Sequence, residues 1–268
     1  MVGVRIGVKP GQWGWTFAEL EESWRLAEEA GFDVLGCFDH VTASPQERPA
    51  WDGPSLLAAM AGRTNRIRLA IHVVNTSLRN PFILAATLAV AQASSRGRLE
   101  VGIGAGSYHF ARYDNAAIGV AFGSYRERME RLRACCRILP ALWRGEHVTD
   151  ATVGLADASL GPIAIDPPKL FVGGSSESAL RLAAQHADGW HSPDEDGFPE
   201  RANRLDELAA ELGRPTVEKS IQLWPTEFDG LRDRIALLGE GGASTVIFVL
   251  DVGQRGPAWV GRLADAVL

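Results

Sequence analysis

The run Pro167-Pro168-Lys169-Leu170-Phe171-Val172-Gly173-Gly174-Ser175-Ser176 passes from a short apolar strand through two glycines into an amphipathic helix. That order suits an anion. Glycine lets the backbone approach a ligand, the first turn of a helix leaves amide N–H groups without intrahelical partners, and Ser175 and Ser176 add hydroxyl donors. Phosphate is the expected guest, although an ordinary strand-to-helix turn with a serine cap is compatible with the same residues. Other chemistry-bearing residues also follow short apolar runs: Gln12, Trp13 and Trp15; Asp39 and His40; Val74, Asn75 and Thr76; Gly104-Ala105-Gly106-Ser107-Tyr108-His109; Trp190, His191 and Ser192; Trp224; and Asp251. An imidazole can take or give a proton near neutral pH. Asp39 and His40 are neighbours, so in extended backbone their side chains point to opposite faces and separate roles are expected rather than a dyad. Gly104-Ala105-Gly106 is read as entering a loop, which sets it apart from the dinucleotide fingerprint.

Two kinds of chemistry find no support. His40, His72, His109, His147, His186 and His191 never fall into a close His-x-x-x-His pattern, and Cys37, Cys135 and Cys136 make no Cys-x-x-Cys, so no metal is expected. There is no Gly-x-Ser-x-Gly elbow for a serine hydrolase.

The elements that must position these residues can be read from periodicity. Strands are expected at 4–8, 34–38, 67–74, 99–103, 170–172, 189–191, 220–224 and 245–250. Helices are expected between them. Phe17, Leu20, Trp24 and Ala27 recur at helical spacing until Gly31, and Thr16 with Glu19 forms a capping-box signature. Further helices are expected at about 54–62, at 82–93, and along an apolar face from Phe122 and Tyr125 to Trp143. Three more are expected at 176–186, around Phe198 to Leu212 and around Phe228 to Leu238, with a last one from Pro257. Residues 145–166 break the pattern and read as a surface insertion with two short strands. Eight strand–helix units imply an α/β fold, a (β/α)8 TIM barrel with a short insertion after the fourth helix, with an open doubly wound sheet as the rival. A single domain is expected over residues 1–268. The chemistry of such barrels lies at the C-terminal strand ends, where the residues above collect. A large flat ligand with a polar edge would suit that rim.

Composition narrows the classes further. The chain is 46% hydrophobic and 22% charged, with a net charge of −6 and no run of lysines and arginines, a profile that fits a globular core and argues against nucleic-acid binding. Three scattered cysteines suggest a reducing compartment. Lys9 and Pro10 follow only a strand's length of apolar residues, so neither a signal peptide nor a membrane span is expected and the cytoplasm is the expected location.

Four segments together resemble the luciferase-like flavin and deazaflavin oxidoreductases: Phe38-Asp39-His40-Val41; Val73-Val74-Asn75-Thr76-Ser77-Leu78-Arg79-Asn80-Pro81; Ser95-Arg96-Gly97-Arg98-Leu99-Glu100-Val101-Gly102-Ile103-Gly104-Ala105-Gly106; and Pro167 to Ser176 continuing through Ala187-Asp188-Gly189-Trp190. The resemblance runs from about residue 5 to about 250. It implies a (β/α)8 barrel using FMN or coenzyme F420 and a homodimer. It implies that Gly173, Gly174 and Ser175 hold the cofactor phosphate, and that Asp39, Asn75, Ala105 and Gly106 line the ring system, with Val74, Thr76, Gly104 and Ser107 beside them. It also implies a cis peptide near His72-Val73.

Asp39-His40 looks more like the deazaflavin branch, which makes His40 the first catalytic candidate. Sugar-phosphate dehydrogenases of that branch carry an acid soon after the Gly-x-Gly. Ser107-Tyr108-His109 stands there instead, so sugar-phosphate oxidation is not the expected reaction and His109 is the second proton-transfer candidate. Trp13, Trp51, Tyr108, Trp190 and Trp224 are the candidates for holding a small, largely apolar substrate. The expected function is hydride transfer between F420 and such a substrate. The alternatives are an FMN-dependent monooxygenase and a non-catalytic flavin-binding barrel.

Overall fold

The computed structural model describes residues 3–42, 50–106, 108–163, 165–250 and 256–268, without the side chains of Tyr108 and His109. Eight parallel strands close into a barrel: β1 (Arg5–Pro10), β2 (Val34–Cys37), β3 (Arg68–Asn75), β4 (Leu99–Gly104), β7 (Lys169–Gly173), β8 (Gly189–Ser192), β9 (Glu218–Leu223) and β10 (Thr245–Leu250). The circuit closes where β10 pairs with β1 along Arg5–Pro10. The remaining two strands, β5 (Val148–Asp150) and β6 (Leu155–Ala158), form an antiparallel hairpin in the insertion, between the helix that follows β4 and strand β7. The expected barrel and insertion are therefore present, and the open sheet is not.

Helix ends obey local chemistry. Helix α1 (Phe17–Ala30) starts at the Thr16–Glu19 capping box and stops at Gly31, whose φ of 100° is left-handed. Helices α2 (Gly53–Arg63) and α3 (Pro81–Ser94) begin under Asp52 and Asn80 caps. Strand β10 is buried at every position, as a strand covered on both faces must be. Arg5 links Glu100 and Glu218 at 2.8 Å each, and Arg68 joins Glu100 at 2.7 Å, tying the N-terminal ends of the strands together.

The region after β4 differs from the sequence expectation. The Gly-x-Gly run enters a helix, α4 (Tyr108–Ala117), instead of a loop, and the long helix α5 (Tyr125–Trp143) starts at a Ser124–Glu127 capping box, which leaves Phe122 ahead of it. Asp114 and Asn115 disfavour helix interiors in isolation. Here both are buried and bonded to neighbouring segments, which offsets that preference. The rest of the ring is α6 (Glu177–His186), α7 (Phe198–Glu211), α8 (Leu231–Glu240) and α9 (Ala258–Val267). Among the described residues no helix is long and apolar enough to cross a membrane.

Candidate active site

A cavity of about 610 Å3 opens at the C-terminal ends of the strands. Trp13, Asp39, His40, Asn75, Gly104, Ala105, Gly106, Gly173, Gly174, Ser175 and Trp224 line it, so most of the residues singled out from sequence share one wall-to-wall space. Four do not reach it. Trp51 lies outside, its indole N–H donating to the Trp15 carbonyl at 2.9 Å. Trp190 is fully buried, stacks on Phe198 at 5.6 Å and donates to the Gly174 carbonyl at 2.7 Å, so it braces the glycine turn from behind. Val74 and Thr76 are displaced by a register shift between Ile71 and Val74, which breaks strict alternation along β3. As a result the consecutive residues His72 and Val73 both line the cavity, Val74 faces away, and Thr76 donates to the Gly104 carbonyl at 3.1 Å. The His72–Val73 peptide bond is cis. Ser107 and the side chains of Tyr108 and His109 lie outside the described residues.

His40 and Asp39 have different partners. His40 Nδ1 lies 2.7 Å from Asp114 Oδ2, and Asp114 Oδ1 accepts the backbone N–H groups of Val41 at 2.9 Å and Thr42 at 3.1 Å. A carboxylate holding two amides and one imidazole fixes the ring: Nδ1–H donates to Asp114, and Nε2 keeps its lone pair for the cavity. Asp39 turns the other way. Its Oδ2 accepts from Arg79 at 2.6 Å and from the Asn75 amide at 3.0 Å, while Oδ1 is buried without a partner. Burial pushes its pKa up to about 6, against the pull of Arg79. The opposite-face argument for these neighbours gives the right separation. It could not supply Asp114, which is 74 residues away on a segment read as loop.

The glycines are there because of what faces them. A Cβ at Gly104 or Gly173 would meet the Val73 side chain at 2.7 or 2.4 Å, and one at Gly106 would meet Asn75 Oδ1 at 2.8 Å. Gly174 sits at φ +130°, outside the usual range of L side chains. Beyond it Ser176 caps α6, accepting from the Ala179 amide at 3.3 Å, and the Tyr125 hydroxyl reaches Ser176 Oγ at 3.2 Å. Tyr125, read from sequence as part of an apolar helix face, thus stands beside the glycine turn and lines the cavity.

The apolar wall is a row of rings. Trp13 stacks on Phe38 at 5.7 Å, Phe38 stacks on Trp224 at 5.6 Å, and the His40 ring lies 4.7 Å from Trp13. The floor is polar. Lys9 is fully buried and donates to the His72 carbonyl and to Gln222 Oε1, both at 2.8 Å, with its Nζ 4.5 Å from the Phe38 ring centroid. Burial lowers its pKa from 10.5 to about 7. His72 and His191 stack at 4.4 Å, and burial, reinforced by the charge of Lys9 at both and of His72 at His191, holds both well below the usual imidazole range. No Lys or Arg lines the cavity among the described residues, and no three His, Cys, Asp or Glu side chains among them converge as a metal site requires.

In a closed parallel barrel the C-terminal strand ends carry the chemistry, and here they hold a glycine turn at a helix N-terminus and an oriented His–carboxylate pair. The model of the luciferase-like monooxygenase family matches residues 2–224, and the chain belongs to that family. It is 32% identical over 193 residues to the F420-dependent glucose-6-phosphate dehydrogenase of Beutenbergia cavernae, a stretch covering 70% of this chain and 56% of that protein. The chain therefore spans little more than half the length of that curated relative. Its fold is similar to an F420-dependent secondary alcohol dehydrogenase in complex with an F420-acetone adduct, with a TM-score of 0.83, 15% identity and coverage of 99% of this chain and 98% of that one. It is also similar to the coenzyme F420-dependent tetrahydromethanopterin reductase of Methanopyrus kandleri, with a TM-score of 0.81, 15% identity and the same coverage.

Proposed function

We propose that this protein is an F420-dependent oxidoreductase that moves a hydride between the deazaflavin and a small, largely apolar organic substrate. The observation that carries the proposal is the presence, in one cavity, of the Gly173-Gly174-Ser175 nest and of His40 held by Asp114. The residues fit a phosphorylated tricyclic carrier. Gly174 gives a backbone cradle that a side chain would obstruct, and Asp39 Oδ1 is an orphaned buried acceptor on the wall. The first turn of α6 offers amide N–H groups to a phosphate, and the Ser175 and Ser176 hydroxyls add donors, with Tyr125 donating to Ser176 Oγ. The F420-dependent proteins to which the chain is similar favour F420 over FMN.

When bound, the deazaflavin supplies a ring carbon that exchanges hydride with substrate. This chain's residues do the rest. Asp114 fixes the His40 tautomer, and Nε2 takes a proton from a substrate hydroxyl in one direction or, once protonated, returns it in the other. Trp13, Phe38 and Trp224 exclude water and offer flat apolar contact to the substrate. A sugar phosphate would need a second anion site, and the lack of Lys and Arg among the described lining residues supports an uncharged substrate. His40 and His109 are the proposed proton-transfer residues.

Fluorescence titration with F420 and with FMN, followed by turnover of His40→Ala, tests this reading. F420 binding and a large loss of turnover at intact affinity support it. Tight FMN binding without F420 binding would move the protein to the reduced-flavin monooxygenase reading, and unchanged turnover in His40→Ala would remove His40 from the mechanism.

A further inference from the structure

We infer that Arg128 is a positioning residue: from outside the cavity it fixes the Ala105–Gly106 peptide so that the Gly106 N–H faces inward and donates to an acceptor atom on the edge of the bound ring. This rests on the deazaflavin reading above. Ala105 and Gly106 line the cavity and are only half-buried, so the backbone of this turn is open to a ligand. Arg128 belongs to a separate space of about 390 Å3 and reaches the turn from there. Its Nε donates to the Ala105 carbonyl at 3.1 Å, its Nη1 donates to the Gly123 carbonyl at 2.9 Å, and the guanidinium lies 4.0 Å from the Phe122 ring centroid. Two carbonyls and a ring face hold the planar fork in one place.

The direction of that carbonyl sets the direction of the amide. His72–Val73 is the cis bond among the described residues, so Ala105–Gly106 is trans and its C=O and N–H point opposite ways. The C=O points at Arg128, outside the cavity. The N–H is thereby turned toward the cavity, and it has no acceptor among the described residues. The preceding carbonyl is also taken by protein, because Gly104 accepts the Thr76 N–H and hydroxyl at 3.1 Å each. What the turn leaves for a ligand is a donor. Gly106 is held from its other side as well: it sits at φ +80°, with the position of a Cβ 2.8 Å from Asn75 Oδ1, an oxygen that itself accepts from the Ser77 N–H at 3.1 Å and hydroxyl at 2.8 Å. A donor oriented before binding costs less to use, and without Arg128 the peptide is free to rotate and set its own oxygen against the ligand's acceptor. The sequence holds no sign of this, since Arg128 lies 23 residues beyond Ala105 on another helix.

The test uses full-length wild type, Arg128→Met and Arg128→Lys, labelled with 15N-glycine, titrated with oxidised F420 and melted without ligand. In wild type, saturation with F420 should slow hydrogen exchange at the Gly106 amide. Arg128→Met should bind F420 about three- to tenfold more weakly, the loss of one net hydrogen bond, without that protection and with a melting temperature within about 3 °C of wild type. Arg128→Lys, which keeps the charge and a donor, should recover most of the affinity. Unchanged Gly106 exchange in F420-saturated wild type would overturn the inference even if neither variant folds, and so would wild-type affinity in Arg128→Met. Weaker binding by Arg128→Met with the Gly106 protection retained would make Arg128 a purely structural tie and overturn it too. If wild type binds FMN and not F420, the deazaflavin reading fails by itself, and the same exchange measurement with FMN decides the role of Arg128.

Discussion

Replacing Asp114 by Asn isolates the orientation of His40 from the folding of the site. Asp114 is 1% exposed and does two jobs: one oxygen accepts the amides of Val41 and Thr42, and the other lies 2.7 Å from His40 Nδ1. Each stranded amide would cost about 1–3 kcal/mol. The Asn carboxamide oxygen therefore stays on the amides, and its NH2 faces the imidazole. That NH2 donates, so Nδ1 must become the acceptor and the ring proton moves to Nε2. The cavity then meets a donor where wild type presents a base. A general base in place contributes about 10²–10⁴ in rate, so turnover should fall by about 10³ while F420 affinity stays within about twofold. Stopped-flow measurement of F420 reduction, with an alcohol that wild type oxidises, gives the rate, and long-range 15N NMR of the imidazole gives the tautomer. Turnover within about threefold of wild type, or an unchanged tautomer, would refute the reasoning.

Three further outcomes follow from the same geometry. Gly174→Val should raise the F420 dissociation constant by more than about tenfold, since φ +130° costs a side chain about 1–3 kcal/mol and the new Cβ lies 3.2 Å from Ala179 Cβ; wild-type affinity in a fluorescence titration would count against the nest. Trp224→Ala should raise KM by about tenfold with kcat nearly unchanged, because it removes the outer ring of the stack on Phe38, and steady-state kinetics separates the two constants. For Lys9 the folded pKa of about 7 lies below its ordinary 10.5, so the unfolded chain binds more protons between those values and wild-type stability rises with pH there. Against Lys9→Met, wild type should therefore gain roughly 1 kcal/mol per pH unit from about 7 to 10 in urea melts, and a flat difference would mean that the amine is not desolvated as its burial requires.

The sequence announced the scaffold because each of its signals is local. Thr16 with Glu19, Gly31 as a stop, the apolar run of β10 and the Gly173-Gly174-Ser175 turn all act within a few residues, so reading along the chain finds them. The contacts that give the site its chemistry are not local. Asp114 meets His40 across 74 residues from a helix whose polar residues disguise it, and Arg79 reaches Asp39 across 40. His72 and Val73 line the cavity in place of Val74 because alternation along β3 fails at one step. Trp51, just ahead of α2, and Trp190, within β8, have the right residue type, but their indole N–H groups donate to backbone carbonyls outside the cavity.

Equilibrium dialysis of the purified protein against F420 and FMN together is the most direct measurement. Selective retention of F420, abolished in Gly174→Val and preserved in Asp114→Asn, is the predicted result. Retention of FMN with F420 passing freely, or of neither, would contradict it.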